Sequence, residues 1–397
     1  MNTDALSPPQ LPFNPTVLRW AREWRGRSVE DAAKKAGTSV EKVLAWEGGE
    51  ATPSVRQARH LAEFYDRAFL EFFLKEPPRP LQSDLVPDFR LHREAADPRG
   101  DRELKAIQEW AEEKRLNALD LFGAIGEPIP YRPDALFAVI GTNPESIAQK
   151  AREFAAFPIE DQLNLSSQTR ATMPKLVRSA LERLGILVLK EGALAKYGVR
   201  GLTVFATPLP VVVFGTEAPV AQSFTMAHEL GHIILQQSAI SGPTSARNDS
   251  TPTEATERWC DQFAGAFLMP ADAIAQRWAK PNAPVPAIED DHLGQLANTF
   301  AVSRHAMLIR LVDLGYVEPR FYWDIKRAEF LQKEREFKGG GIPKYYGVRY
   351  RSAHGDLYTG LVLEAWNEGI ITNHNAAEFL DIKNLRHLFD LRENFSS

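Results

Sequence analysis

Apolar residues between Pro15 and about Lys75 recur at helical spacing in short segments: Val17, Leu18 and Ala21, then Val29, Ala32, Ala33 and Ala36, then Val40, Val43 and Leu44. A stripe with that repeat is one face of an amphipathic helix, so the stretch predicts a compact helical unit. Between its second and third helices, Ala36-Gly37-Thr38-Ser39 offers a glycine for the positive backbone angle of a tight turn and a serine to cap the next helix. That order of parts is the grammar of a helix-turn-helix.

Glu76-Pro77-Pro78-Arg79-Pro80 ends the helical run, since proline cannot donate a backbone hydrogen bond, and it reads as a linker. Beyond it a long charged amphipathic helix is predicted over Arg99 to Leu121, with further helical regions over Pro144 to Phe154 and Thr172 to Leu184. Three β-like runs follow, Ile186 to Leu189, Leu202 to Ala206 and Val211 to Phe214, rich in Val, Leu and Phe and separated by Gly and Pro. Helical periodicity returns over Gln222 to Gln237, over Thr253 to Phe267 and after Asp290. Phe337-Lys338-Gly339-Gly340-Gly341 reads as a flexible joint, and helical spacing resumes from Gly360 to Leu391. No fixed-period repeat is evident.

The expected fold class is therefore α+β. A flexible leader (1–14) precedes an all-α helix-turn-helix domain (15–75), a linker (76–98), and a domain with a small sheet of about three strands (99–290). A helical extension with a helix-turn-helix-like segment (291–336) and a C-terminal helical region (337–397) complete the chain.

Composition narrows the chemistry. At 397 residues, 44% hydrophobic and 25% charged, the chain can bury ordinary cores in more than one domain. It shows neither a signal-peptide pattern nor an apolar run of about 18 residues, so no membrane partner and a cytoplasmic address are the expectation. Cys260 is the only cysteine, which excludes an intrachain disulfide and a cysteine-rich metal cluster; a tightly held metal must use His, Asp or Glu. A net charge of -5 argues against a whole-chain polyanion binder, though not against one basic face.

The sharpest pattern is His228-Glu229-Leu230-Gly231-His232. Helix residues four apart lie on one face, so His228 and His232 can bind one Zn2+ together. Glu229 beside them can accept a proton from water made acidic by the metal, which is hydrolytic chemistry. The bare pattern arises by chance in about one chain in seventy of this length, and two histidines so spaced can also be a plain structural pair. Context favours the metal. Phe224, Met226, Ala227, Ile233, Ile234 and Leu235 would bury the rest of the helix, and Glu257 follows 25 positions after His232. Glu254 and Glu257 compete as third ligand; Glu257 is preferred because Asp261, four residues on, can orient a ligand histidine through its other ring nitrogen. Three protein ligands leave the fourth position open, as catalysis requires.

These residues resemble the ImmA/IrrE family of bacterial metallopeptidases. The likeness runs through Phe224 to His232 and through Glu257-Arg258-Trp259-Cys260-Asp261-Gln262-Phe263-Ala264 to Met269-Pro270. It extends to Leu181 to Ile186 upstream and to Phe300-Ala301-Val302-Ser303 through Arg310-Leu311 downstream. Cys260 and Asp261 stand where Ala and Asn are usual, and Phe214-Gly215 where the strand commonly ends in Asn. The resemblance implies a zincin-like peptidase domain. The N-terminal unit is similar to Xre-type helix-turn-helix domains, through Ser28 to Ser39 and Trp46 to Pro53. Some members with both domains cut a helix-turn-helix repressor in stress response or mobile-element transfer, which implies a regulatory protein as substrate. Pairing of such domains on DNA implies a homodimer.

Two functions of different class compete. One is a zinc endopeptidase with Glu229 as general base. The other is a DNA-binding transcriptional regulator or antitoxin-like binding protein whose peptidase fold serves as a sensor. For DNA the candidate contacts are Thr38, Ser39, Lys42, Lys34 and Lys35, with Arg19 and Arg22 alongside. Residues 11–75 hold 11 Lys or Arg against 9 Asp or Glu, a surplus of 2 (11 minus 9), which is weak for a dedicated DNA binder. Retention of Glu229 favours the enzyme, because a structural zinc site needs no base.

Overall fold

The computed structural model describes residues 13–77 except 26, 66 and 68, then 98–242, 252–278, 284–335 and 345–395. Most of the leader, most of the linker and the glycine-rich joint at 337–341 lie outside the described residues. The chain forms two units, and α5 (Pro98–Ile125) belongs to the second from Ala106 onward.

The first unit contains α1 (Pro15–Trp24), α2 (Val29–Ala36), α3 (Val40–Gly48) and α4 (Val55–Tyr65), followed by a short 3-10 turn at Phe69–Phe73. Local signals place its helices. Asn14 accepts from the Thr16 N–H ahead of Pro15, and Ser28 accepts from the Asp31 N–H at 3.1 Å. Gly37 closes α2 with φ 63°, the left-handed angle the turn was expected to require. Ser39 occupies the cap position of α3 but makes no capping bond; its hydroxyl instead hydrogen-bonds Glu41 and holds that carboxyl below its usual range. Val17, Leu18, Ala21, Ala32, Ala33 and Trp46 fill the core. Arg22, an expected phosphate contact, is spent inside the unit, with Nε 2.7 Å and a terminal nitrogen 2.8 Å from the two carboxylate oxygens of buried Glu47.

The second unit continues with α6 (Pro144–Phe154), α7 (Ile159–Leu163), α8 (Met173–Arg183), β1 (Leu187–Lys190), β2 (Gly201–Val204) and β3 (Val211–Phe214). Then come α9 (Pro219–Ile234), β4 (Ala239–Ser241), α10 (Pro252–Leu268) and α11 (Ala271–Ala275). Helices α12 (Asp290–Thr299), α13 (Arg304–Asp313), α14 (Arg327–Arg335), α15 (Tyr346–Asn367), α16 (Asn373–Phe379) and α17 (Leu385–Phe395) follow. The α+β class holds, with one correction: the sheet has four strands, ordered β1-β3-β2-β4, rather than about three. β1 pairs parallel to β3, and the other pairings are antiparallel. Three-residue β4 is too short to show a strand period.

Helix α9 packs on β2 and β3, between α8 and α10. The carbonyls ending α10 are capped from three other segments. Arg152 donates to Phe267 O at 2.6 Å, Gln162 to Leu268 O at 2.8 Å and Arg310 to Met269 O at 3.0 Å. These buried bonds satisfy groups that a helix end leaves orphaned and fix α10 against its neighbours. The expected helix-turn-helix-like segment is α12–α13, but Met307, Leu308, Arg310 and Leu311 bury much of its second helix. After residue 345 the chain packs back onto the sheet: α15 lies against β1 and α8. It breaks at Gly355 (φ 81°), where Arg178 donates to Ser352 O and Ala353 O on one side while Glu182 accepts from the Asp356 N–H at 3.1 Å on the other.

Candidate metal centre

Helix α9 begins at Pro219, whose fixed φ and missing N–H suit a first helical position, earlier than the apolar periodicity alone indicated. Every residue from Thr225 to Ile234 is buried, so the helix is held on all sides. Gly231 lets α10 come close: a Cβ there would meet Cα, Cβ and Sγ of Cys260 at 3.1 Å. That approach carries Glu257, three residues before Cys260, up to the two histidines.

His228 Nε2 lies 3.2 Å from His232 Nε2 and 3.3 Å from Glu257 Oε2, and His232 Nε2 lies 3.2 Å from Glu257 Oε1. A tetrahedral zinc shell with bonds of about 2.0 Å has ligand atoms roughly 3.3 Å apart, and these contacts are of that size, each histidine meeting a different Glu257 oxygen. Asp261 Oδ1 sits 2.9 Å from His228 Nδ1. A carboxylate there fixes a proton on Nδ1 and turns the Nε2 lone pair toward Glu257 and His232. Burial alone would push the His228 pKa down, but Glu257 and Asp261 outweigh it and hold it well above the ordinary value. Burial would likewise raise Glu257, yet His228 and His232 draw it far below the usual carboxyl range. Two imidazole nitrogens and a carboxylate that favour a shared positive charge suit a divalent cation, and the donor set fits zinc.

Glu229 is fully buried and makes no part of this cluster. Its Oε2 accepts a 2.6 Å hydrogen bond from Thr203 Oγ1, while Oε1 makes no hydrogen bond among the described residues. Gly201 supplies the space, since a Cβ at that position would overlap the Glu229 carboxylate. Strand β2 thus cradles the glutamate. Ser241 of β4 places its hydroxyl 3.5 Å from His232 Nε2.

The structure brings His228, His232, Glu257 and Asp261 together and leaves Glu254 out of the cluster. Thr203, Gly201 and Ser241 were not anticipated. A glycine inside a strand signals close approach of another group, and that was the available hint. In the first unit, Lys34, Lys35, Ser39 and Lys42 are exposed and Thr38 is half-buried.

Residues 181–312 match the family model described as the IrrE N-terminal-like domain, a peptidase family, and residues 16–68 match that of a helix-turn-helix domain. The second unit thus carries an IrrE N-terminal-like domain with a metallopeptidase-like fold, and the first a helix-turn-helix domain, the pairing of an ImmA/IrrE protein with an N-terminal helix-turn-helix. Comparison with curated proteins and with solved structures returns no match. Among the described residues, no helix is long and apolar enough to cross a membrane.

Proposed function

We propose that this protein is a zinc-dependent regulatory endopeptidase in which His228, His232 and Glu257 hold the metal. The observation that carries this reading is the convergence of the three side chains, with 3.2 Å between the histidine Nε2 atoms and 3.2 to 3.3 Å from each of them to a Glu257 oxygen, and with Glu229 beside the histidines on the same helix. Zinc at that point supplies Lewis acidity, polarising a peptide carbonyl and making water acidic enough to attack near neutral pH. Glu229 accepts the proton of the attacking water and returns it to the leaving amine. Thr203 fixes one carboxylate oxygen and leaves the other to the proton. Asp261 keeps the His228 ring in the tautomer that presents Nε2.

The substrate class is a helix-turn-helix repressor or a related regulatory protein, a reading that the pairing of the two matched domains supports. Incubating wild type and Glu229→Gln with repressors from the same cells tests it. Cleavage by wild type alone is expected; equal cleavage by the variant contradicts the role of Glu229.

A second reading concerns the first unit, where Lys34, Lys35, Thr38, Ser39 and Lys42 would contact DNA with α3 in the major groove. Exposure of Lys34, Lys35 and Lys42 supports it. Filter binding of wild type and Lys42→Gln to duplex DNA checks it.

A further inference from the structure

Across the sheet, Gly201 of β2 stands directly opposite Ser241 of β4. Residues so paired in an antiparallel ladder point to the same face, with Cβ positions about 4.5 to 5.5 Å apart. That face is the one α9 covers: Thr203, two residues on from Gly201, reaches Glu229, and Ser241 reaches His232. The atom nearest to where a Cβ on Gly201 would stand is Glu229 Oε1. The Ser241 side chain therefore starts about 5 Å from the space in which Glu229 Oε1 lies. Two oxygens that share one water, through hydrogen bonds of about 2.8 Å meeting at its tetrahedral angle, stand about 4.5 Å apart. A single water fits between Ser241 and Glu229.

Both oxygens call for such a partner. Glu229 Oε1 is buried and makes no hydrogen bond among the described residues, while Oε2 is held by Thr203. Ser241 is buried too, and its hydroxyl lies 3.5 Å from Nε2 of His232, the nitrogen that meets His228 and Glu257. Once that lone pair is committed to a cation, it no longer accepts from the hydroxyl. A buried hydroxyl is costly to leave unpaired, and one beside a ligand nitrogen has its complement in an oxygen at the position that the three ligands leave open. A hydroxyl suits that place because it both accepts and donates.

A water attacking a peptide carbonyl must aim a lone pair at the carbon, which fixes the directions of both its hydrogens. Each hydrogen then needs an acceptor. We propose that Ser241 is a further catalytic residue, whose Oγ accepts the second hydrogen of the attacking water while Glu229 Oε1 accepts the first. The proton that is transferred goes to Glu229; Ser241 keeps its own, and no bond to Ser241 forms or breaks. Without Ser241 the water turns freely about its bond to Glu229, and the lone pair is aimed less well. The proposal rests on the endopeptidase reading, with His228, His232 and Glu257 as ligands.

The test uses the full chain loaded with zinc, and acetohydroxamate, a small chelator that sets an anionic oxygen in the place of the water. Toward that oxygen the Ser241 hydroxyl donates. Acetohydroxamate affinity is measured by calorimetry, and zinc affinity by competition with a chelating dye, for wild type, Ser241→Ala and Ser241→Thr. Ser241→Ala is expected to bind acetohydroxamate about tenfold more weakly, the worth of one hydrogen bond to a charged oxygen. Its zinc affinity is expected to stay within about threefold of wild type, against the roughly 10- to 100-fold lost with a group that supports a ligand. Ser241→Thr keeps the hydroxyl and should regain the acetohydroxamate affinity. Wild-type acetohydroxamate affinity in Ser241→Ala overturns the proposal and leaves the zinc site standing. So does a loss of zinc affinity of about tenfold or more in that variant, which would make Ser241 a support of His232 instead. Wild type that takes up no zinc overturns the endopeptidase reading itself, and the proposal with it.

Discussion

The Asp261 carboxylate lies 2.9 Å from Nδ1 of His228, on the opposite side of the ring from the nitrogen that meets His232 and Glu257. One helix, α10, therefore supplies both the acidic member of the cluster and the group that orients another member. Asp261→Ala frees the ring to rotate and change tautomer. Zinc affinity is expected to fall about 10- to 100-fold, read by competition with a chelating dye, while the far-UV circular dichroism spectrum is retained.

Gly201 faces the Glu229 carboxylate so closely that any side chain must displace it. Gly201→Ala should therefore separate metal binding from hydrolysis. Zinc content stays at the wild-type level, because the three ligands are untouched, while turnover of a cleaved repressor falls by at least tenfold, within the range general-base catalysis contributes. Undiminished turnover contradicts the placement of Glu229 as base.

The Arg22–Glu47 pair is nearly buried, with side-chain exposures of 11% and 3%. Removing one partner leaves the other charge without compensation, so Glu47→Ala should destabilise the first unit by about 3 kcal/mol. Urea unfolding followed by the fluorescence of Trp46 and its neighbours measures this. Glu41→Ala, at an exposed position two residues into α3, should change stability by no more than about 0.5 kcal/mol.

Burial pushes the Glu182 carboxyl up to about 7, in spite of Arg178 beside it. Because the folded value exceeds the unfolded one, its contribution to stability is complete below about pH 4.3 and is lost as pH rises through about 7. Glu182→Gln mimics the neutral form. The variant should match wild type in urea midpoint at about pH 3.5, below the unfolded value, and exceed it at about pH 8; an identical pH profile in the two proteins would falsify this assignment.

Legibility in the sequence tracked the length and regularity of each signal. The bounds of α6 and β3 came out as predicted, since Asn143-Pro144 and the flanking Pro210 and Gly215 mark them chemically. Gly37 was legible from turn chemistry, His228 and His232 from their four-residue spacing, and Glu257 from the partner Asp261 four residues on; the structure brings the last four together. β4 escaped because three residues carry no period. Thr203 escaped for a different reason: its partner Glu229 is 26 positions away, and only the register of β2 beneath α9 joins them. Arg22 read as a surface cation until tertiary packing paired it with Glu47. The left-handed angles at Ala301 and Asp381 had no signal in the sequence, because glycine, which would have announced them, is absent there.

The central claim is that His228, His232 and Glu257 hold one catalytic metal. Elemental analysis of purified wild type, His232→Ala and Glu229→Gln tests it most directly. About one zinc per chain in wild type and in Glu229→Gln, with loss in His232→Ala, is the predicted result. Wild type that holds no metal after zinc addition, or His232→Ala that keeps a full equivalent, would contradict it.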